Sequence, residues 1–428
     1  MDLAPVLLMF ALFALNVPIA LAIAIAALSY FFTADGLPMQ VYVQKLAQAT
    51  DSFPLLAVPF FIFAGVIMNH AGITRRLLNF ADALVGHMVG GLAQANVLLS
   101  TLMGGLSASA NADAAMQAKM LGGDMVRRGY SPAVAAAVTA CSSVITPIIP
   151  PGIGLIIYGF LADVSIGRLF IAGIVPGLMM CVALMVAVHL VSRKRGYLPV
   201  RERRVPLRQL LSTFVDATGA LSIAAFIIIG IRYGFFTPTE AGAMTVVYAT
   251  LIGVLWHRDL KWSAFPAIIV ETVLATASVM LIICAASAFG FYMSWERIPA
   301  QGAQWLMSLT REPLLLLLLI NLGLLAIGML IEGTAALILL TPLLVPAVVK
   351  LGIDPLHFGL ILVINLTVGG ITPPVGTMMF TACTILGVRV ERFVREGWPF
   401  MLALFAVLAL VTLVPQTVLW LPNLLMPQ

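Results

Sequence analysis

Ile145-Thr-Pro-Ile-Ile-Pro-Pro-Gly152 and Gly369-Gly-Ile-Thr-Pro-Pro-Val-Gly376 each set a proline pair inside a long stretch without Asp, Glu, Lys or Arg, 129–162 and 355–388. A proline at position i removes an amide donor and pushes aside the carbonyl of residue i−4. Pro147, Pro150 and Pro151 therefore predict free carbonyls at Ser143, Thr146 and Pro147, and Pro373 and Pro374 predict them at Gly369 and Gly370. At membrane depth such groups persist only where protein, water or an ion satisfies them. A dehydrated sodium ion wants oxygens of this kind, and the N-termini of broken helices offer positive dipole ends to an anion.

The setting of the two breaks is a membrane. Of 428 residues, 61% are hydrophobic and only 10% charged, and the mean hydropathy is +1.08, whereas a soluble domain carries about a quarter charged residues. Further uncharged stretches run through 3–34, 83–112, 169–192, 272–295, 333–349 and 397–428, and most exceed the ~20 residues that cross a bilayer. The first is longer than a secretory signal's apolar core and lacks a basic leader, so it is expected to remain as helix one. Cys141, Cys181, Cys284 and Cys383 lie in apolar segments without metal-like spacing, and they read as packing residues. The formal charge of +5 comes largely from the run between Arg193 and Arg208. Between two apolar spans that run is a cytoplasmic loop rather than a nucleic-acid patch.

The same order of events surrounds each break: a span, a charged connector, a hairpin with a polar tip, and the interrupted span. The tips read Gly104-Gly-Leu-Ser-Ala-Ser-Ala-Asn-Ala-Asp-Ala114 and Met329-Leu-Ile-Glu-Gly-Thr-Ala335. Placing the basic pairs Arg75/Arg76 and Arg127/Arg128 inside, with 193–208, 257–261 and 389–395, makes the first hairpin open to the cytoplasm and the second to the outside. The N-terminus then falls inside and the C-terminus outside. The expected fold is an all-α, polytopic transmembrane protein with two inverted repeats, two re-entrant hairpins and two proline-broken helices, a pattern of secondary transporters. The divisions are scaffold helices (1–70), a first repeat (71–192, hairpin 88–128, broken helix 131–162), a basic loop with scaffold helices (193–262), and a second repeat (263–422, hairpin 314–350, broken helix 355–386).

Two cation sites flanking one anion site follow from the paired tips and breaks. Asp113 and Glu332 lie near the tips, where an intramembrane carboxylate points to function, although Asp113 also suits a helix cap. A simple kink with close small-residue packing explains one such motif but not two in inverted order. Thr237 with Glu240 reads as a capping box, and Arg232 as a snorkelling residue or a partner of Glu240. The charged connectors around Arg75, Arg76 and Asp82, and around Glu296 and Arg297, are either braces for a moving part or ordinary interfacial charge.

Gly234-Phe-Phe-Thr-Pro-Thr-Glu-Ala-Gly-Ala243, Ile157-Tyr-Gly159, and Gly352-Ile-Asp-Pro-Leu-His-Phe-Gly359 with Asn365 and Thr372-Pro-Pro-Val-Gly376 resemble the large membrane subunit of tripartite ATP-independent periplasmic transporters. The resemblance covers essentially the whole chain. It implies an elevator mechanism driven by Na+, without organic cofactor, in the bacterial inner membrane. It also implies two partners on separate chains, a small four-helix membrane subunit and a periplasmic substrate-binding protein. Carried onto this sequence, one sodium site falls on Ser107, Asn111, Ser143 and Thr146, and the other on Gly333, Thr334, Gly369 and Thr372. A small organic anion is expected against Ser109, Asn111, Thr334, Pro150 and Pro373. The family often has Asp where this chain has Glu332, and Pro-Pro-Ser where it has Pro-Pro-Gly.

Other classes fit less well. The sequence has no HExxH, no GxSxG and no GxxxxGK[ST] loop, and its five histidines are scattered, which argues against an enzyme or an ATP-driven pump. A channel or a stand-alone sodium/carboxylate symporter remains the alternative, since broken helices also line pores.

Overall fold

The computed structural model describes residues 2–34, 37–104, 109–310 and 312–427. Among them every regular element is helical, and seven helices are long and apolar enough to cross a membrane. In chain order the α-helices are α1 (Ala4–Ala14), α2 (Ile19–Thr33), α3 (Met39–Gln48), α4 (Ala57–His70), α5 (Ile73–Val85), α6 (Gly91–Leu102), α7 (Ala110–Gln117), α8 (Gly123–Arg127), α9 (Pro132–Ser143), α10 (Ile153–Leu161) and α11 (Ile166–Arg195). There follow α12 (Leu207–Arg232), α13 (Pro238–Leu251), α14 (Phe265–Trp295), α15 (Ile298–Leu309), α16 (Pro313–Gly328), α17 (Gly333–Lys350), α18 (Pro355–Gly369), α19 (Thr377–Leu386), α20 (Val390–Leu413) and α21 (Gln416–Leu425).

The helices α9, α10, α18 and α19 have 12, 9, 15 and 10 residues. At 1.5 Å per residue each reaches about 14–23 Å, short of ~30 Å of hydrocarbon. Each interrupted segment thus consists of two half-length helices meeting inside the protein. Cis peptide bonds join Pro150 to Pro151 and Pro373 to Pro374. The main core runs through α4, α9, α10, α11, α18 and α20, and Cys141 and Cys383 are buried within it.

Among the buried residues of the connector α5, Ile73, Leu77, Ala81 and Val85 are spaced four apart, which places them on one face. Arg75 and Asn79 are exposed. Gly72, at φ +66°, begins it, a conformation that a side chain would strain. The corresponding connector before the second hairpin is helical over α15, which follows the charged pair Glu296 and Arg297 and itself carries no charged residue.

One expectation fails at the N-terminus. Residues 3–34 are not a single span but two helices that double back on each other. Pro18 disfavours helix at Val17, and Asn16 takes the left-handed conformation, at φ 60°, that Asn tolerates better than most residues. The Asp2 amide and the Tyr30 hydroxyl, from opposite ends of this pair, both donate to the Glu296 carboxylate, at 3.1 and 2.6 Å. Those two bonds hold the Glu296 carboxyl below its ordinary range, Tyr30 contributing most. α1, α2 and α3 form a separate apolar cluster with the last turns of α14. The last expected span likewise breaks at Pro415, between α20 and α21.

Candidate functional site

Four half-length or hairpin helices begin at one place. Ala110, Ile153, Gly333 and Thr377, the first residues of α7, α10, α17 and α19, all line a cavity of about 60 Å³. Ser109, Asn111, Glu332 and Thr334 enter it from the two hairpin tips, and Pro147, Gly154, Gly370 and Met378 from the two breaks. Each helix N-terminus leaves unpaired amides and carries about half a positive charge. Four such ends around one small space make a field for an anion without any basic side chain.

Behind the first tip lies a buried polar cluster. Asp113 is 1% exposed, and its Oδ2 accepts from Gln117 Nε2 (2.7 Å), Thr146 Oγ1 (2.8 Å) and Ser100 Oγ (3.2 Å). No basic side chain pairs with it among the described residues. Its Oδ1, Asn111 Oδ1 and Gln117 Oε1 are buried acceptors without a hydrogen-bond partner among the described residues. Oxygens left in this condition cost free energy unless a cation or proton joins them. Asp113 therefore does not cap α7, as its position in the first turn had suggested; the cap position, Ser109, makes no side-chain capping bond.

At the second tip Glu332 is a helix cap. Its Oε2 accepts from the Ala335 amide and its Oε1 from the Thr334 hydroxyl, both at 3.0 Å. The Gly376 amide donates to the Met329 carbonyl at 3.0 Å, tying the second break to the second tip. Gly369 lies so close to Gly328 that a Cβ on it would sit 2.6 Å from Gly328 backbone atoms. Ser143 Oγ donates to the Ala140 carbonyl and reaches Met378 Sδ at 3.4 Å, so the two breaks touch.

Of the residues expected at the site, Ser109, Asn111, Gly333 and Thr334 line the cavity. Ser143, Thr146, Gly369 and Thr372 flank it in the break segments and are buried. Ser107 lies outside the described residues. Pro150 and Pro373 carry the cis bonds and are not among the lining residues; Pro147 is.

The expectation of wholly free carbonyls needs correction. Ser143 O accepts from the Thr146 amide, Gly369 O from the Thr372 amide, and Gly370 O from the Met378 amide. Tight turns recapture one lone pair of Ser143 O and of Gly369 O, leaving the second for a ligand, whereas Gly370 O also accepts from the Met379 amide. Thr372 Oγ1 is also engaged, donating to the Val368 carbonyl at 2.8 Å.

The sequence reading missed Ser100 and Gln117, and also Thr367 and Thr377 in the cavity wall. Gln117 is four residues beyond Asp113 on the same apolar helix, a pairing that could have been noticed. The remaining contacts depend on packing between distant segments. Elsewhere the Thr237/Glu240 capping box is present, and Arg232 lies over the Tyr233 ring rather than on Glu240.

A model of the family described as tripartite ATP-independent periplasmic transporter, DctM component, matches residues 6–417. The chain is 39% identical to the sialic acid TRAP transporter large permease protein SiaM of Vibrio cholerae, over 96% of this chain and 95% of that protein. It is 38% identical to the C4-dicarboxylate TRAP transporter large permease protein DctM of Pseudomonas aeruginosa, over 89% and 88%. In three dimensions it resembles the YdaH transporter of Alcanivorax borkumensis, with a TM-score of 0.63 at 15% identity over 96% of this chain and 97% of that one. That last likeness concerns the fold alone.

Proposed function

Because the chain belongs to the family of DctM components of tripartite ATP-independent periplasmic transporters, we propose that it carries a small organic anion through the bacterial inner membrane, driven by sodium. It is a transport subunit and not an enzyme. The observation that supports this reading best is the convergence of four helix N-termini on one cavity, next to buried acceptor oxygens that lack partners among the described residues. N-termini suit the anion and acceptor oxygens suit sodium, so each ligand lowers the cost of holding the other. The substrate contacts in this reading are the amides of the four helix starts with Ser109, Asn111 and Thr334. The sodium sites draw on Asn111, Ser143 and Thr146, with Asp113 supplying countercharge, and on Gly333, Thr334, Gly369 and Thr372.

The two hairpins and two broken helices move together as the elevator, and α5 and α15 connect them to the scaffold. The two relatives carry sialic acid and C4-dicarboxylates by name, and an organic acid is the class proposed here. A small membrane subunit and a periplasmic binding protein complete the system. Basic clusters place the ends of α4 and α11 and the starts of α5 and α20 in the cytoplasm. Asp2 and Tyr30 both bond to Glu296, which follows the end of α14 away from the basic 257–261 turn; this supports reading the N-terminus as periplasmic rather than cytoplasmic, with the C-terminus also periplasmic. The experiment is sodium-dependence of uptake in Asn111→Ala and Thr334→Ala proteins reconstituted with both partners. Unchanged sodium activation in both would remove the site assignment.

A further inference from the structure

A second polar pocket lies where α4 ends and α5 begins, far along the chain from either hairpin tip. It encloses about 490 Å³ between His70, Arg75, Arg76 and Asn79 on one side and Asp216 of α12 and Asp259 on the other. Arg76 is already matched, its guanidinium 2.6 Å from the Asp259 carboxylate. Arg75 and Asp216 are exposed, and neither makes an ion pair or hydrogen bond among the described residues. The pocket thus holds one cation and one anion without an ion-paired or hydrogen-bonded partner among the described residues.

Its surroundings belong to lipid. Asp216 stands just after exposed Phe214 and Val215 on α12, and α14 exposes Val273 and Leu274 close to where it meets α4. Trp256 and Trp262 are exposed on either side of the 257–261 turn that carries Asp259, as aromatic residues are at a membrane–water border. A ligand that meets both needs a negative and a positive group in one headgroup, with apolar chains that continue along the helices.

We propose that this pocket binds the headgroup of a phosphatidylethanolamine-type lipid of the cytoplasmic leaflet. The phosphodiester accepts hydrogen bonds from Arg75, and the primary ammonium donates to Asp216. A choline headgroup has no N–H to donate, and a phosphoglycerol headgroup has no cation. Held in this way, the lipid joins the connector α5 to the scaffold helix α12. The inference goes beyond the transport reading and does not depend on which ion or anion is carried.

The test is lipid retention by the chain purified with its small membrane subunit from membranes containing equal ethanolamine and choline lipids. The parent should retain ethanolamine lipid over choline lipid by about tenfold, the scale of one charge-assisted hydrogen bond. Asp216→Asn should bring that ratio to about one, and Arg75→Gln should lower retention of both lipids; both positions are exposed, so folding should be unaffected. Excess glycerophosphoethanolamine, which has the headgroup without acyl chains, should not displace the lipid. Equal retention of the two lipids by the parent, a ratio unchanged in Asp216→Asn, or full displacement by the soluble headgroup would each overturn the proposal.

Discussion

Replacing Gly369 by alanine tests the packing on which the second break depends. A Cβ at Gly369 would lie 2.6 Å from both the Cα and the carbonyl carbon of Gly328, whereas carbon atoms ordinarily meet at about 3.5–4.0 Å. Backbone faces backbone, so no side chain can swing away, and α16 and α18 must separate by about 1 Å. Overpacking of this kind costs about 1–3 kcal/mol. Gly323, also on α16, is the control, since its Cβ would meet nothing within 4 Å; there alanine should stabilise by about 0.5–1 kcal/mol through helix propensity. Thermal unfolding in detergent should move down for Gly369→Ala and up for Gly323→Ala. Alanine keeps the Gly369 carbonyl, so the raised sodium requirement expected of Gly369→Ala reports displaced geometry, not a missing ligand atom. Equal stability of the two variants would refute the close crossing of α16 and α18.

Other outcomes follow from the same geometry. Asn111→Ala and Thr334→Ala should each raise the sodium concentration for half-maximal uptake, with folding intact by size-exclusion profile. Asp113→Asn keeps the shape and the capacity to accept from Gln117, Thr146 and Ser100 after an amide flip; the protein should stay folded while sodium activation of uptake falls at least tenfold, and normal activation would exclude Asp113 as the countercharge. Tyr158→Phe removes the 2.6 Å hydrogen bond to the Pro355 carbonyl that links α10 to the start of α18. The loss should be about 1 kcal/mol in unfolding, while Gly359→Ala, whose Cβ would fall 2.2 Å from the Tyr158 ring, should cost more.

The sequence carried the helical class and the two breaks because both rest on local chemistry: uncharged length and proline's missing amide. It carried Ser109, Asn111 and Thr334 because polar residues in an apolar tip have few structural uses. The doubling back of 3–34 was harder to read, since Asn16 and Pro18 are weak signals within an uncharged run and the deciding contact is with Glu296, far along the chain. The Asp113 cluster was half visible. Its carboxylate stood out by charge, but Ser100 and Thr146 come to it only when α6 and the first break pack around α7. Carbonyl counting from proline overstated the freedom of the breaks, because tight turns reuse the oxygens that a straight helix would lose.

Most directly, the account stands on uptake of radiolabelled carboxylates into proteoliposomes containing this chain, its small membrane subunit and the binding protein, with and without an inward sodium gradient. It predicts accumulation only when the gradient and the binding protein are both present. Flux by this chain alone, indifferent to sodium, would contradict it and mark the cavity as part of a channel.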